Sequence, residues 1–276
     1  MNELLPESNP DEIRTRPCPE CYLCGAPGKT LYQGLRDRLF GAPGEWNLKE
    51  CPNPECGLIW LDPVPVEEDI GKAYQNYYTH KVYLRKGIKR FVHRMMNGAI
   101  LRITRIYKEQ RRINYMYLEE MKPGKLLEVG CGSGQFLDCM RRAGWEVEGV
   151  EIDSRAADYA RKKYGVPVHI GTLESMQYPD NTFDAVTMNH VIEHVYEPVT
   201  LLQECHRVLK PGGRLVVVTP NTISYGHRRF RQYWRGLEPP RHLYVFSPVT
   251  LRRVAERAGF QDVLIWTTLA NAYVII

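Results

Sequence analysis

The sequence predicts an α/β chain: a doubly wound, mostly parallel sheet, with a small cysteine-held segment and a helical segment ahead of it. Three observations predict it. The run Leu126-Leu-Glu-Val-Gly-Cys-Gly-Ser-Gly-Gln-Phe-Leu137 reads as strand, glycine-rich turn and helix. From Lys125 to Thr219 short apolar runs alternate with helical segments, the pattern of parallel strands joined by helical crossovers. Before them, four cysteines stand in two knuckle-like pairs within a stretch of few apolar residues, which needs a staple to fold.

The 276 residues suffice for one large domain and one small one. Composition is ordinary globular and the net charge of +5 is modest. No apolar run approaches the ~18–20 residues of a membrane span, and the polar, acidic N-terminus does not read as a signal peptide. The expected location is cytoplasmic. There the cysteine spacing favours a metal over disulfides.

In chain order, residues 1–17 are polar, proline-containing and expected to be flexible. The segment 18–66 carries Cys18-Pro-Glu-Cys21-Tyr-Leu-Cys24-Gly25 and Cys51-Pro-Asn-Pro-Glu-Cys56-Gly57. Each knuckle places two thiolates on a tight turn closed by glycine. Four thiolates suit a closed tetrahedral zinc site, structural rather than catalytic because no position stays open. Matching the Cys-Gly pairs selects Cys21, Cys24, Cys51 and Cys56 as ligands. Cys18 is then spare, or replaces Cys24 in a pairing with Cys21. Residues from Lys29 to Trp60 would form the strands of this segment, with Trp46 and Trp60 as its packing.

Residues 67–121 read as helical. Glu67–Tyr78 carries Tyr74, Tyr77 and Tyr78. From 81 to 112 the chain is strongly basic, with Lys81, Arg85, Lys86, Lys89, Arg90, Arg94, Arg102, Arg105, Lys108, Arg111 and Arg112 opposed only by Glu109. Phe91, Met95, Ile100 and Ile103 recur at near-helical spacing. The segment is either a solvated face over a core stripe, a peripheral contact to an anionic membrane or glycan, or a nucleic-acid grip.

Residues 122–276 hold the sheet. Strands are expected at Lys125–Val129, Glu146–Glu151, Val168–Ile170, Phe183–Asn189, Arg214–Thr219 and Phe260–Thr268, the last paired with an antiparallel neighbour. Asp153 is the expected N-cap of a helix Ser154–Tyr164. The glycines Gly130, Gly132 and Gly134 permit a tight, partly left-handed turn and let a ligand approach bare backbone. A dinucleotide fingerprint would place its third glycine at position 135, where Gln135 stands. Glu151 closes the second strand, where an acid can accept both ribose hydroxyls of a nucleoside. His190, Glu193 and His194 have the spacing i, i+3, i+4, one face of a helix. The connection 220–248 is long, rich in arginine, aromatic residues and histidine, and is read as a lid insertion on this domain.

Taken together, these stretches resemble class I S-adenosylmethionine (SAM)-dependent methyltransferases of the type 11/12-like group, with a Rossmann-like, seven-stranded-type sheet and here an N-terminal zinc ribbon. Glu128 to Gly134 resembles the first motif of that family. Gly171-Thr-Leu-Glu174, Phe183-Asp-Ala-Val-Thr-Met-Asn-His-Val-Ile-Glu-His194 and Leu209-Lys-Pro-Gly-Gly-Arg-Leu-Val-Val-Val218 resemble later ones. The resemblance implies a cofactor pocket of Glu128, Gly130, Cys131, Gly132, Gly134, Phe136, Glu151, Ile152, Thr172, Leu173, Asn189 and His190. Glu151 would hold the ribose and Ile152 would flank the adenine. Thr172 stands where the family often has an aspartate.

The resemblance also implies transfer of a methyl group to an oxygen nucleophile. His242 is the first candidate for general base, with His190 and Tyr225 beside it. Arg228, Arg229, Arg231, Arg235 and Arg241 crowd 220–248, so the acceptor is expected to be anionic: a small molecule, a glycan or a lipid-linked compound. One alternative is a quinone-precursor O-methyltransferase with a second divalent metal at His190, Glu193 and His194. Others are a nucleic-acid-binding methyltransferase using the zinc ribbon, and a non-catalytic SAM-binding scaffold.

Overall fold

The computed structural model describes residues 12–75 and 105–268. The first eleven residues, Tyr77 and Tyr78, the basic stretch from Lys81 to Thr104 and residues 269–276 lie outside the described residues. The chain divides into two compact units, Met1–Tyr77 with Pro220–Arg253, and Tyr78–Thr219 with Val254–Ile276. Residues 220–253 therefore group with the N-terminal segment and not with the parallel sheet to which the sequence reading attached them.

In the first unit, strand β1 (Thr15–Arg16) pairs antiparallel with β5 (Val64–Pro65). Strands β2 (Lys29–Leu35), β3 (Trp46–Glu50), β4 (Ile59–Leu61) and β11 (Tyr244–Val245) form an antiparallel sheet in the order β11-β4-β3-β2. Strand β3 alternates buried Trp46 and Leu48 with half-buried neighbours, the two-residue period of a sheet packed on one face. Strand β4, central in the sheet, is buried throughout, and Trp60 Nε1 donates to the Cys18 carbonyl at 2.7 Å. Over the described residues the helix expected at Glu67–Tyr78 is only the 3₁₀ turn Ile70–Tyr74. Asp69 ahead of it is engaged by the Arg14 backbone and guanidinium.

The second unit is built on β6 (Lys125–Val129), β7 (Glu146–Glu151), β8 (Val168–Ile170), β9 (Phe183–Asn189) and β10 (Leu209–Val218). Their order is β10-β9-β6-β7-β8 and every pair is parallel. Strands β6 and β9 are buried along most of their length because helices cover both faces of such a sheet. Leu126, Leu137, Met140, Trp145, Ala157, Val168 and Ala185 belong to one buried cluster. Gly149 sits inside β7 because a Cβ there would come 2.6 Å from Leu137 Cδ1 and 2.7 Å from Cys131 Sγ. Asp153 caps helix Ser154–Tyr164 through the Arg155 N–H at 3.0 Å, and Gly165 ends it in the left-handed region. Pro198 opens helix Pro198–Val208, where its missing N–H costs nothing. Helix Arg105–Asn114 is the described part of the basic segment.

Three further expectations change. Strand β10 starts at Leu209, with an irregular register before Arg214. No strand forms at Phe260–Thr268; Leu264 and Trp266 are exposed and no ladder partner exists among the described residues. His190 to His194 is not one helical face. Only Ile192–His194 is a 3₁₀ turn, and His190 precedes it at φ 58°. Among the described residues no helix is long and apolar enough to cross a membrane.

Candidate functional site

The chain leaves β6 toward β7 and β8 on one side, then returns to lay β9 and β10 on the other. Neighbouring β6 and β9 thus define the point where the winding reverses, and ligands of open α/β sheets bind at the carboxyl ends there. The turn at the end of β6 holds Gly130, Gly132 and Gly134 at φ 68°, 51° and 72°. A Cβ on Gly130 would meet Val191 Cγ2 at 2.5 Å, and one on Gly134 would meet Ala160 Cβ at 2.7 Å. Packing explains those two glycines. A Cβ on Gly132 would meet nothing within 4 Å. Its side is open, so packing does not exclude a side chain there and a ligand could reach the backbone.

Two carboxylates stand behind this turn. Glu151, buried at the end of β7, accepts from the Gly132 N–H at 2.7 Å and from the Asp153 N–H at 2.9 Å. Burial raises its pKa, and the two N–H bonds work against that. Glu128, one residue from the end of β6, is also buried, and its Oε2 has no hydrogen-bond partner among the described residues. Burial, then the charge of Glu151, holds its pKa well above the usual carboxylate range. Such a pair favours a ligand that brings positive charge and hydroxyl donors.

The other expected pocket residues sit on the same unit. Ile152 is 71% exposed just after Glu151. Leu173 is buried, while the exposed Thr172 closes a small turn with Ser175, whose Oγ donates to the Thr172 carbonyl at 2.7 Å. Phe136 packs half-buried against the core, and Cys131 is buried. Asn189 is exposed at the end of β9. His190 follows in left-handed backbone, a strained state for a residue with a Cβ. Its Nδ1 lies 2.9 Å from Glu193 Oε1, and Glu193 Oε2 accepts from the Thr219 hydroxyl at 2.9 Å. Buried Glu193 thus ties the ends of β9 and β10 together, and a carboxylate partner places the ring proton on Nδ1. His190 enters no cluster of three metal-ligating side chains among the described residues.

The first unit contains the cysteine centre. The sulfurs of Cys21, Cys24, Cys51 and Cys56 all lie within 4.8 Å of one another. Cys21 to Cys56 is 3.6 Å and Cys24 to Cys51 is 3.4 Å. Tetrahedral zinc with ~2.3 Å bonds would space its sulfurs by about 3.8 Å, so the donor set fits that ion. Each knuckle folds as expected. Gly25 N–H donates to the Cys21 carbonyl at 2.8 Å, and the Cys56 and Gly57 N–H groups both donate to the Asn53 carbonyl. Cys18 is outside the cluster and its N–H donates to Asp62.

The insertion residues occupy this unit too. His242 is buried, with Nδ1 donating to the Gly236 carbonyl at 2.8 Å. Tyr225 is 74% exposed. Arg241 overturns its reading as an acceptor clamp. It is fully buried, donates to Asp37 at 2.8 Å, Glu238 at 3.1 Å and the Ala73 carbonyl at 2.9 Å, and its guanidinium covers the Phe40 ring. Asp37, Glu238 and Thr219 are the structural partners that sequence reasoning missed. Nothing local signals Asp37, which lies 204 residues from Arg241, whereas Glu238 is only three residues away.

A family model described as a methyltransferase domain matches residues 101–265. Among curated relatives, a protein of Mycolicibacterium smegmatis named for SAM-dependent methyl transfer is 32% identical over 137 residues, covering 49% of this chain and 51% of its own. A similarly named protein of Mycobacterium tuberculosis is 35% identical over 139 residues, covering 50% and 49%. A ubiquinone biosynthesis O-methyltransferase of Proteus mirabilis is 33% identical over 129 residues, covering 42% and 52%. The chain spans about half the length of the curated relatives it matches. The family match covers the strand ends, the glycine turn and both buried glutamates, and the chain belongs to the methyltransferase-domain family.

Proposed function

We propose that the protein is a SAM-dependent methyltransferase acting on an oxygen nucleophile of an anionic acceptor. The observation that carries this is the buried pair Glu128 and Glu151 behind the open backbone of Gly132, in a chain of this family. The residues fit the cofactor. The unpartnered Glu128 oxygen suits a cationic group, and each Glu151 oxygen retains acceptor capacity for a ribose hydroxyl beyond its one N–H bond. SAM, when bound, supplies a methyl group already activated by its sulfonium. The protein's part is then to hold that group in line with the acceptor and to take up a proton. His242 is the proposed base. Its Nδ1–H bond to a carbonyl makes Nε2 the basic nitrogen. His190, paired with Glu193, is the second candidate.

Labelled SAM incubated with the protein and fractionated cell extract tests the reading. Label is expected in an acidic small-molecule, glycan or lipid fraction. Label confined to nucleic acid would replace it with the nucleic-acid alternative. His242→Ala should cut turnover by about 10²–10⁴-fold at unchanged SAM affinity, and His190→Ala should do so if the second candidate is the base. Gly132→Val should abolish SAM binding by filling the open approach.

The four thiolates are proposed to hold a structural zinc, one ion per chain by elemental analysis after chelator washing. The similarity to ubiquinone O-methyltransferases supports a second reading, a quinone precursor as acceptor, without the metal expected at His190, Glu193 and His194, since His190 joins no metal-ligating cluster among the described residues. Turnover of a quinone precursor with labelled SAM would select it.

A further inference from the structure

We propose that residues 223–233 form a docking surface for an anionic lipid bilayer. This inference does not depend on the acceptor proposed above. Between Asn221 and Leu237 there are four arginines and no acid. Among the described residues, Arg228, Arg229 and Arg231 have no carboxylate within ion-pairing distance. Some exposed arginines elsewhere find one, as Arg14 does in Asp69, Arg36 in Glu45 and Arg142 in Asp138; what distinguishes this stretch is three unpaired arginines within four residues. The next acid in the chain, Glu238, is buried against Arg241. The positive field of this stretch is therefore uncompensated locally.

Large apolar side chains share the stretch. Tyr225 is 74% exposed, Tyr233 61% and Ile223 57%. Single exposed apolar groups are normal, but a run of them beside unpaired cations is informative. Within helix Tyr225–Phe230 the spacing i, i+3, i+4 puts Arg228 and Arg229 on the side of Tyr225. The backbone beneath is anchored. The His227 ring stacks on Trp234 at 5.1 Å and bonds the Tyr32 hydroxyl at 3.0 Å, and Ser224 caps the helix through the His227 N–H.

The ring geometry favours lipid over nucleic acid. Bases bind aromatic residues by stacking on their open faces. Here Arg38 lies 4.5 Å from the centroid of Tyr233, and Arg229 lies 5.6 Å from that of Phe230. One face of each ring is already covered, and aliphatic Ile223 offers no stacking surface. Tyrosine, an aliphatic side chain and arginines with apolar stems are instead the composition of an interfacial contact, with cations at the headgroups and apolar ends just below.

Vesicle flotation of the full chain tests this. The protein should float with phosphatidylcholine vesicles containing phosphatidylglycerol and not with phosphatidylcholine alone. R228E/R229E should lower binding about ten-fold or more, since each basic residue near an anionic surface contributes roughly five-fold. I223S/Y225S should weaken binding at unchanged charge, and R228K/R229K should retain most of it. Unfolding midpoints equal to the parent's show that the variants fold. Parental flotation of R228E/R229E would place the contact elsewhere, for instance in the basic stretch 81–112, and overturn the proposal. So would a parent that does not float, or one that binds an RNA homopolymer through these arginines and leaves vesicles alone.

Discussion

The two units solve stability differently. The parallel-sheet unit rests on a contiguous apolar core of leucines, alanines, Met140 and Trp145 between helices and strands. It can therefore tolerate two buried carboxylates at its strand ends. The first unit leaves β2 largely exposed while β4 and β11 are fully buried, and its apolar packing draws on residues far apart in the chain, Trp46, Leu48 and Trp60 with Leu243, Val245 and Phe246. Polar clamps secure it: four thiolates in one place, and Arg241 between Asp37 and Glu238 in another. Destabilisation should thus be steep and local in the first unit. In the second, the strain belongs to the site.

The largest test of that contrast is loss of the thiolate centre. Structural zinc contributes on the order of 10 kcal/mol to folding of such segments. Cys51→Ala, or chelation, should remove amide-exchange protection from β2 to β4 and also from β11, because β11 is bonded to β4. Strands β6 to β10 should keep their protection. If β11 stays protected while β2 to β4 open, the first unit is not one cooperative body.

Arg241→Ala comes next. It leaves Asp37 and Glu238 as buried acids without their cation, a change that costs about 3–5 kcal/mol. The expected result is a lower unfolding midpoint. An unchanged midpoint with a raised KM would restore Arg241 as an acceptor ligand.

Within the sheet unit, Glu151→Ala should weaken SAM binding by about 1.5–3 kcal/mol for each charge-assisted bond lost, measured by titration calorimetry. Unchanged affinity would remove Glu151 from the site.

Glu128→Gln gives the smallest effect and the sharpest sign. Its carboxyl pKa in the fold lies above the ordinary 4.5. Above 4.5 the unfolded chain releases the proton first, so the folded state holds more protons and stability falls as pH rises toward the raised value. Glu128→Gln removes that penalty. The ligand-free variant should melt higher than the parent at neutral pH, the gap should close below pH about 4.5, and SAM affinity should drop. A variant that melts lower at every pH would show that the carboxylate is satisfied in the fold.

How legible all this was in the sequence depended on distance along the chain. Strands β6 to β9 were readable in place and order, because apolar positions recur in each between polar turns and the glycines mark the switch point. The four ligating cysteines were readable because each pair shares a turn. The spacing of His190, Glu193 and His194 misled, since it defines a face only in a helix, and the left-handed backbone at His190 breaks the register. The stretch Val263–Thr268 has strand-like composition, but composition does not supply a ladder partner. The grouping of 220–253 with the N-terminal segment was invisible, because it rests on a two-residue strand and on Arg241, whose partners lie far back in the chain.

That last feature bears on how the protein is made. Arg241 follows its partner Asp37 by 204 residues. At a synthesis rate of ~5–20 residues per second, the segment holding the thiols emerges roughly ten to forty seconds before the strand that completes its sheet. During that interval the cysteines stand in an unfinished scaffold, exposed to oxidation and to the wrong ion. An N-terminal fragment ending before residue 220 would remain in that state permanently, so a soluble preparation of the cysteine unit requires the insertion to be supplied with it.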